Sequence, residues 1–143
     1  MKTMLALIGA AVMMISNVAL ADPGQGPSAC TAAKLAGRYG FTVSGVILPG
    51  NPAGLPEGPA VATGFLILDA NGNMHGYETI SFNGNVTKGV PYSGTYQITP
   101  DCGFTLDSPG FFTNYGVMVA NGNELLIMST DYGMVITITA KRL

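Results

Sequence analysis

Apolar and polar residues alternate along much of this chain after Gly37, with the period of two that is typical of β-strands with one buried face. The pattern is clearest over residues 92–99, where Tyr92, Gly94, Tyr96 and Ile98 share one face. Residues 39–44 and 134–140 alternate in the same way. We therefore predict an all-β fold with a mostly aliphatic and aromatic interior. The predicted interior also contains Phe41, Tyr39, Phe104, Leu106, Leu125 and Ile127.

Three Asn-Gly pairs separate alternating segments, at residues 71–72, 83–84 and 121–122. Asn-Gly favours the type I′ turn of a two-residue hairpin, because both of its positions tolerate positive φ angles. Further turns at 100–103 and 131–133 bring the count to about eight strands. Because nearly all of these strands are paired in sequence, we predict a single antiparallel, mostly up-and-down barrel over residues 37–143. A barrel of this size is filled by side chains or holds one small ligand.

Three local features add detail to this barrel. Residues 31–36 predict one helical turn, because Thr31 is a good cap and alanines follow it. Gly45 predicts a β-bulge that bends the first strand. Residues 48–59 are rich in proline and glycine, so we expect a loop outside the sheet. This loop is interpreted either as an extended surface connection or as a lid over the barrel.

Residues 1–21 have the pattern of a signal peptide. Lys2 precedes an uncharged apolar run, and Ala19-Leu20-Ala21 forms a small-x-small cleavage site. We therefore expect export to the periplasm or the medium, with residues 22–36 as a lead-in to the barrel. The alternative is a retained membrane anchor, for which the run is marginal in length and lacks a following basic cluster. We expect no membrane insertion of the mature chain.

The composition restricts the classes of partner and cofactor. Charged residues make up 10% of the chain, and loss of Lys2 leaves a net charge of about −3. Nucleic-acid binding is therefore not expected, since it requires clustered Lys and Arg. Cys30 and Cys102 are the only two cysteines, and in an exported chain they most simply form one disulfide. The alternatives, metal ligation or a catalytic thiol, lack partner residues, so we expect no metal and no cofactor. We expect a monomer.

A few residues are candidates for chemistry. Glu78 interrupts the apolar face of residues 74–82, where burial would raise its pKa and suit a general acid or base. The alternatives are a pair with Arg38 or a tyrosine hydroxyl, or a register shift at Gly76 that turns Glu78 outward. His75 has the opposite parity and is expected at the surface. The candidate ligand-binding residues are Tyr39, Tyr92 and Tyr96, whose hydroxyls would orient a ligand in an apolar lumen or simply reach the barrel rim.

Several segments resemble small secreted bacterial proteins with an allene-oxide-cyclase-like, or calycin-like, barrel. The resemblance lies in residues 35–41, Gly64-Phe65, the turn at 69–73, residues 94–102 and Asp131-Tyr132-Gly133. It implies the barrel and, through members of the wider group that are cyclases, an apolar substrate inside it. No catalytic motif is carried over. Gly37-Arg38-Tyr39, Thr130-Asp131-Tyr132 and Arg142 also resemble lipocalin motifs, although the lipocalin Trp is replaced by Tyr39.

Three functions follow as hypotheses. The first is binding of a small apolar molecule in the lumen, and the second is a cyclase or isomerase that uses Glu78. The third is a structural or interaction protein with a filled core. A cavity in the barrel would distinguish the third hypothesis from the other two.

Overall fold

The computed structural model describes residues 30–143. The predicted signal peptide at residues 1–21, and residues 22–29 of the predicted lead-in, lie outside the described residues. Within the described range, no helix has the length and apolar character needed to cross a membrane.

Eight antiparallel strands close into one barrel in sequence order, and the last strand pairs with the first. This confirms the predicted all-β, up-and-down barrel. One helical turn precedes it, α1 (Ala32–Leu35). The strands are β1 (Gly37–Ile47), β2 (Gly58–Leu68), β3 (Asn73–Phe82), β4 (Asn85–Ile98), β5 (Gly103–Ser108), β6 (Phe112–Val119), β7 (Glu124–Ser129) and β8 (Met134–Arg142).

All three Asn-Gly pairs lie between paired strands, as predicted, but only one forms the predicted type I′ turn. Asn83 and Gly84 have φ angles of 48° and 88° and form a two-residue connection between β3 and β4. After β2 the Asp69 carboxylate accepts hydrogen bonds from the backbone N–H groups of Asn71 and Asn73, which holds a wider turn. Residues 120–122 all have positive φ angles and form a longer connection. The type I′ prediction is therefore wrong at these two sites.

The barrel contains a bulge, but it does not lie at Gly45. The register of β1 with β2 runs without a shift from Gly37 to Ile47, so the bulge predicted at Gly45 is wrong. Gly45 instead permits close approach, since a Cβ atom there would lie 2.0 Å from the carbonyl oxygen of Val135. The bulge lies in β4, where Lys88 and Gly89 oppose Thr79, and Gly89 has a φ of 66°.

The loop between β1 and β2 is shorter than predicted. It spans residues 48–57, because Gly58 and Pro59 already belong to β2. The prediction that residue 59 lies outside the sheet is therefore wrong: Pro59 pairs with Val46, and its carbonyl accepts a hydrogen bond from Asn83 at 2.7 Å. The Asn51 side chain donates to Leu55 O and accepts from Leu55 N, so it organises the loop internally.

Helix α1 covers one end of the barrel, here called the closed end. Thr31 caps the helix through a 3.3 Å hydrogen bond from Lys34 N to its hydroxyl oxygen, and Leu35 is fully buried. The predicted disulfide is confirmed, with Cα atoms 5.2 Å apart. It joins Cys30, just before α1, to Cys102 in the turn after β4, and so attaches the helical turn to the barrel.

Arg142 completes the closed end. Its guanidinium lies 4.9 Å from the centre of the Tyr39 ring and donates to Ala36 O at 2.7 Å and Lys34 O at 2.6 Å. A further hydrogen bond reaches Gly122 O at 3.2 Å. One side chain thus connects β8 to the carbonyl end of α1, to β1 and to the turn before β7. The closed end is consequently held by both covalent and charge-assisted contacts.

Candidate functional site: an apolar cavity with four polar groups

The interior of the barrel contains a cavity of about 100 Å³. Aliphatic and aromatic side chains from most of the strands form its wall, and Glu78, Asn114 and Ser129 are the polar exceptions apart from the Tyr92 hydroxyl. A mostly apolar cavity with a few polar groups is the usual composition of a small-molecule site.

The cavity lies toward the end of the barrel opposite α1. Inward-facing residues at the closed end, such as Tyr39, Phe104 and Leu125, are 0% exposed. Several inward-facing residues at the opposite end remain half-buried, although Ile47 and Ala60 there are only 2% exposed. The half-buried residues are Ile80, Phe82, Phe112, Met134 and Ile136. This second end, here called the open end, also carries the loop of residues 48–57. No residue of that loop is among those that line the cavity.

Glu78 lines the cavity, as its parity in β3 predicts. Pairing of β3 with β2 runs without a shift through Gly76, so the alternative in which a shift there turns Glu78 outward is wrong. Its cross-strand neighbours are Gly64 and Val90, which offer no polar side chain. Among residues 30–143, the carboxyl of the half-buried Glu78 has no hydrogen bond and no ion pair. Burial in the apolar lumen raises the pKa of this carboxyl above its usual range.

The alternatives in which Glu78 pairs with Arg38 or with a tyrosine hydroxyl are also wrong, since its carboxyl makes no hydrogen bond and the Tyr92 hydroxyl donates to Phe65 O. Arg38 lies on the outward face of β1, and its guanidinium stacks 4.4 Å from the centre of the Phe65 ring. A strand places successive side chains on opposite faces, so an outward arginine on β1 cannot reach a carboxyl inside the barrel.

Tyr92 is the one candidate tyrosine that lines the cavity. Its ring lies over Gly76, where an added Cβ would be 2.6 Å from the ring atom Cζ, so the glycine makes room for it. The hydroxyl donates to Phe65 O at 3.0 Å. Burial raises the pKa of Tyr92, and the nearby Glu78 charge raises it further. The ring also makes edge contacts with Phe41 and Phe112, at centroid distances of 6.3 and 6.0 Å.

Tyr39 and Tyr96 lie at the closed end and do not line the cavity. The Tyr39 hydroxyl is 2.7 Å from Leu35 O and accepts a hydrogen bond from Arg142. The Tyr96 hydroxyl donates to Asp69 O. Burial raises the pKa of both tyrosines. Both hydroxyls therefore join β-strands to the turns and to α1, apart from the cavity.

Asn114 and Ser129 belong to the cavity wall although the sequence reasoning missed them. Asn114 is 2% exposed, and its carboxamide makes no hydrogen bond within residues 30–143. Ser129 is its neighbour across β6 and β7, and its hydroxyl oxygen accepts from Asp131 N at 3.3 Å. The sequence contains a signal for this position: Asn114 is a polar residue on the same face of its strand as the apolar Phe112 and Met118. Glu78 interrupts the apolar face of β3 in the same way.

His75 is exposed on the outward face of β3, as predicted. No group of three or more His, Cys, Asp or Glu side chains in the described range could hold a metal ion. No protein family, no curated protein and no solved structure matches this chain. The chemistry of the site therefore rests on its own geometry.

Proposed function

We propose that this protein is exported and binds a small apolar molecule in the lumen of its barrel. The observation that carries the proposal is the cavity of about 100 Å³, which is lined by aliphatic and aromatic side chains and lies toward the open end. An apolar protein cavity of about 150 Å³ is large enough to bind benzene. The present cavity is about two thirds of that volume, so a ring-sized ligand would fit only by extending toward the open end.

Transfer of an apolar molecule from water into this cavity is favourable by about 25 cal/mol for each Å² of apolar surface that it buries. The rigid wall adds to this, because strands paired on both sides have little freedom to lose on binding. A structural protein with a filled core, the third hypothesis, does not account for the cavity. Export is supported by the Cys30–Cys102 disulfide, since such bonds persist mainly in oxidising compartments.

A toluene titration monitored by methyl NMR tests lumenal binding. We expect the methyl signals of Ile127 and Ile138, which line the cavity, to shift while those of the exposed Val61 and Val135 stay unchanged. Ala60→Leu narrows the lumen at its open end and should weaken toluene binding at least tenfold. Val61→Leu, on the outward face of the same strand, is the matched control. Unchanged lumenal signals at saturating toluene would contradict the proposal.

A second candidate function is that of a cyclase or isomerase that uses Glu78. The observation that favours it is a carboxyl in an apolar cavity, without a hydrogen bond and with a raised pKa. Such a group transfers protons at a pH closer to neutrality than a solvated carboxylate does. It would act on an apolar substrate in the same cavity, so the two functions share one site.

The base strength of Glu78 is measurable with 5-nitrobenzisoxazole, an apolar ring that opens when a base removes its carbon-bound proton. We expect a rate above that of an equal concentration of acetate, and loss of the excess in Glu78→Gln. Asp107→Asn removes an exposed carboxylate from β5 and is expected to leave the rate unchanged. A wild-type rate equal to that of acetate would remove the support for catalysis.

A further inference from the structure

The described part of the cavity wall contains one acidic side chain and no basic one. Among the described residues that line it, Glu78 is the only one with a carboxyl group, and none is Lys, Arg or His. The Glu78 carboxyl also lacks any ion pair or hydrogen bond to the rest of residues 30–143. A carboxylate with no partner in apolar surroundings is costly, and a bound cation offsets much of that cost.

An aromatic ring lies beside this carboxyl. Tyr92 pairs with Gly76 across β3 and β4, and Glu78 follows two residues later on the same inward face. Such diagonal neighbours are about 7 Å apart in a sheet. The Tyr92 ring is also in contact with Phe41 and Phe112. A cation at Glu78 would therefore lie near the Tyr92 ring, and an aromatic ring attracts positive charge at its face.

A second polar group, the carboxamide of Asn114, lines the same cavity and is available to a ligand. Asn114 is only 2% exposed. Its carboxamide has no hydrogen-bond partner in the described range. No fully buried side-chain nitrogen or oxygen in the described range lacks a hydrogen-bond partner, so the Asn114 carboxamide keeps some accessible surface within the cavity that it lines. Asn114 lies on β6 and Glu78 on β3, so the two unpartnered groups come from separate parts of the wall.

We propose that the ligand is a small amphiphilic amine, whose protonated nitrogen pairs with Glu78 while its aryl or alkyl body occupies the apolar lumen. This inference rests on the proposed function, lumenal binding, and specifies the chemical class of the ligand. The carboxylate would select for positive charge, and the cavity of about 100 Å³ would select for a compact body.

Two probes of the same shape test this: benzylamine, which is protonated at pH 7, and benzyl alcohol, which is neutral. In NMR titrations of the disulfide-bonded protein, we expect benzylamine to bind at least tenfold more tightly than benzyl alcohol. Glu78→Gln should remove that preference and leave the affinity for benzyl alcohol within about twofold. Asp107→Asn, an outward-facing carboxylate on β5, should leave the preference intact.

The outcomes separate the two proposals. If benzyl alcohol and toluene bind in the lumen but benzylamine binds no more tightly, the amine inference is overturned while lumenal binding stands. If none of the three probes shifts the lumenal signals, both proposals are overturned. The wild-type comparison of benzylamine with benzyl alcohol decides the inference even where Glu78→Gln fails to fold. A preference for benzylamine that persists in a folded Glu78→Gln variant would also overturn it, because the charge would then be recognised elsewhere.

Discussion

Substitution of Arg142 by Met is expected to destabilise the closed end of the barrel. The guanidinium donates hydrogen bonds to the carbonyl oxygens of Ala36, Lys34 and Gly122 and to the Tyr39 hydroxyl, at distances between 2.6 and 3.3 Å. Met fills similar space along the apolar stem but donates nothing. The substitution therefore isolates the contribution of the charged head.

The size of the loss follows from these contacts. A hydrogen bond to a charged group contributes about 1.5–3 kcal/mol net, and the cation–π contact with Tyr39 adds about 0.5–1 kcal/mol. Arg142 is half-buried, so water replaces part of what is lost at each carbonyl. We therefore expect a decrease of about 3 kcal/mol in the free energy of unfolding. For a domain of this size that corresponds to a decrease of roughly 10 °C in melting temperature.

Urea denaturation with linear extrapolation measures the effect. Arg38→Met is the matched control, because Arg38 also stacks on an aromatic ring, Phe65, but is exposed and makes no hydrogen bond through its side chain in the described range. We expect the control to lose no more than about 0.5 kcal/mol. Equal losses for the two variants would refute the reasoning, because the hydrogen bonds at the closed end would then contribute nothing beyond ring stacking.

Three further predictions concern the disulfide, a close strand contact and the lumenal carboxyl. Cys30 and Cys102 are separated by 72 residues, so reduction of their disulfide should lower the free energy of unfolding by at most about 4 kcal/mol. The melting temperature should fall by several degrees, without loss of lumenal binding at room temperature. An unchanged melting temperature would contradict this. Gly94→Ala would place a Cβ 2.0 Å from a backbone oxygen and should lower the free energy of unfolding, measured by urea denaturation, by about 2 kcal/mol. Gly40→Ala is the control, because its Cβ would lie 3.2 Å from a flexible side chain and should change stability little. Equal losses for the two variants would be inconsistent with the close contact at Gly94. Burial raises the pKa of Glu78 in the folded state, so the free energy of unfolding of the wild type should fall as the pH rises from the unfolded-state pKa to the folded-state pKa. The fall should be about 1.4 kcal/mol for each pH unit between the two pKa values, and Glu78→Gln should lack it. Matching stability profiles of the two proteins between pH 4 and pH 8 would show a solvated carboxyl.

The two ends of the barrel differ in how completely their inward-facing side chains are buried. Fully buried side chains fill the closed end, while the half-buried Phe82 and Ile136 line the open end. Apolar side chains that remain partly exposed inside a barrel contribute less to folding than fully buried ones. The two ends therefore contribute unequally to folding, and the proposed ligand would cover the apolar surface that remains partly exposed at the open end.

Local sequence patterns predicted most of the frame. Alternation with a period of two identified the inward faces, so Phe104, Leu106, Leu125 and Ile127 were correctly placed in the core. Asn-Gly pairs located three hairpins, and the cysteine count indicated the disulfide. Glu78 was found in the same way, because a charged residue on an apolar face is visible without any knowledge of the partner strand. These features are local, and parity within one strand determines them.

Only the tertiary structure decided which inward residues share a space. Tyr39, Tyr92 and Tyr96 have the same inward parity, yet the closing of one end by α1 leaves Tyr92 alone at the cavity. Asn114 became part of the site because closure of the barrel brings β6 and β3 around one lumen. Parity determines the face of a side chain but not its height in the barrel, which depends on register, on the β4 bulge and on what covers each end. The chain by itself thus specified an eight-stranded frame and a carboxyl on its inner face, and the closed end specified where a ligand has room.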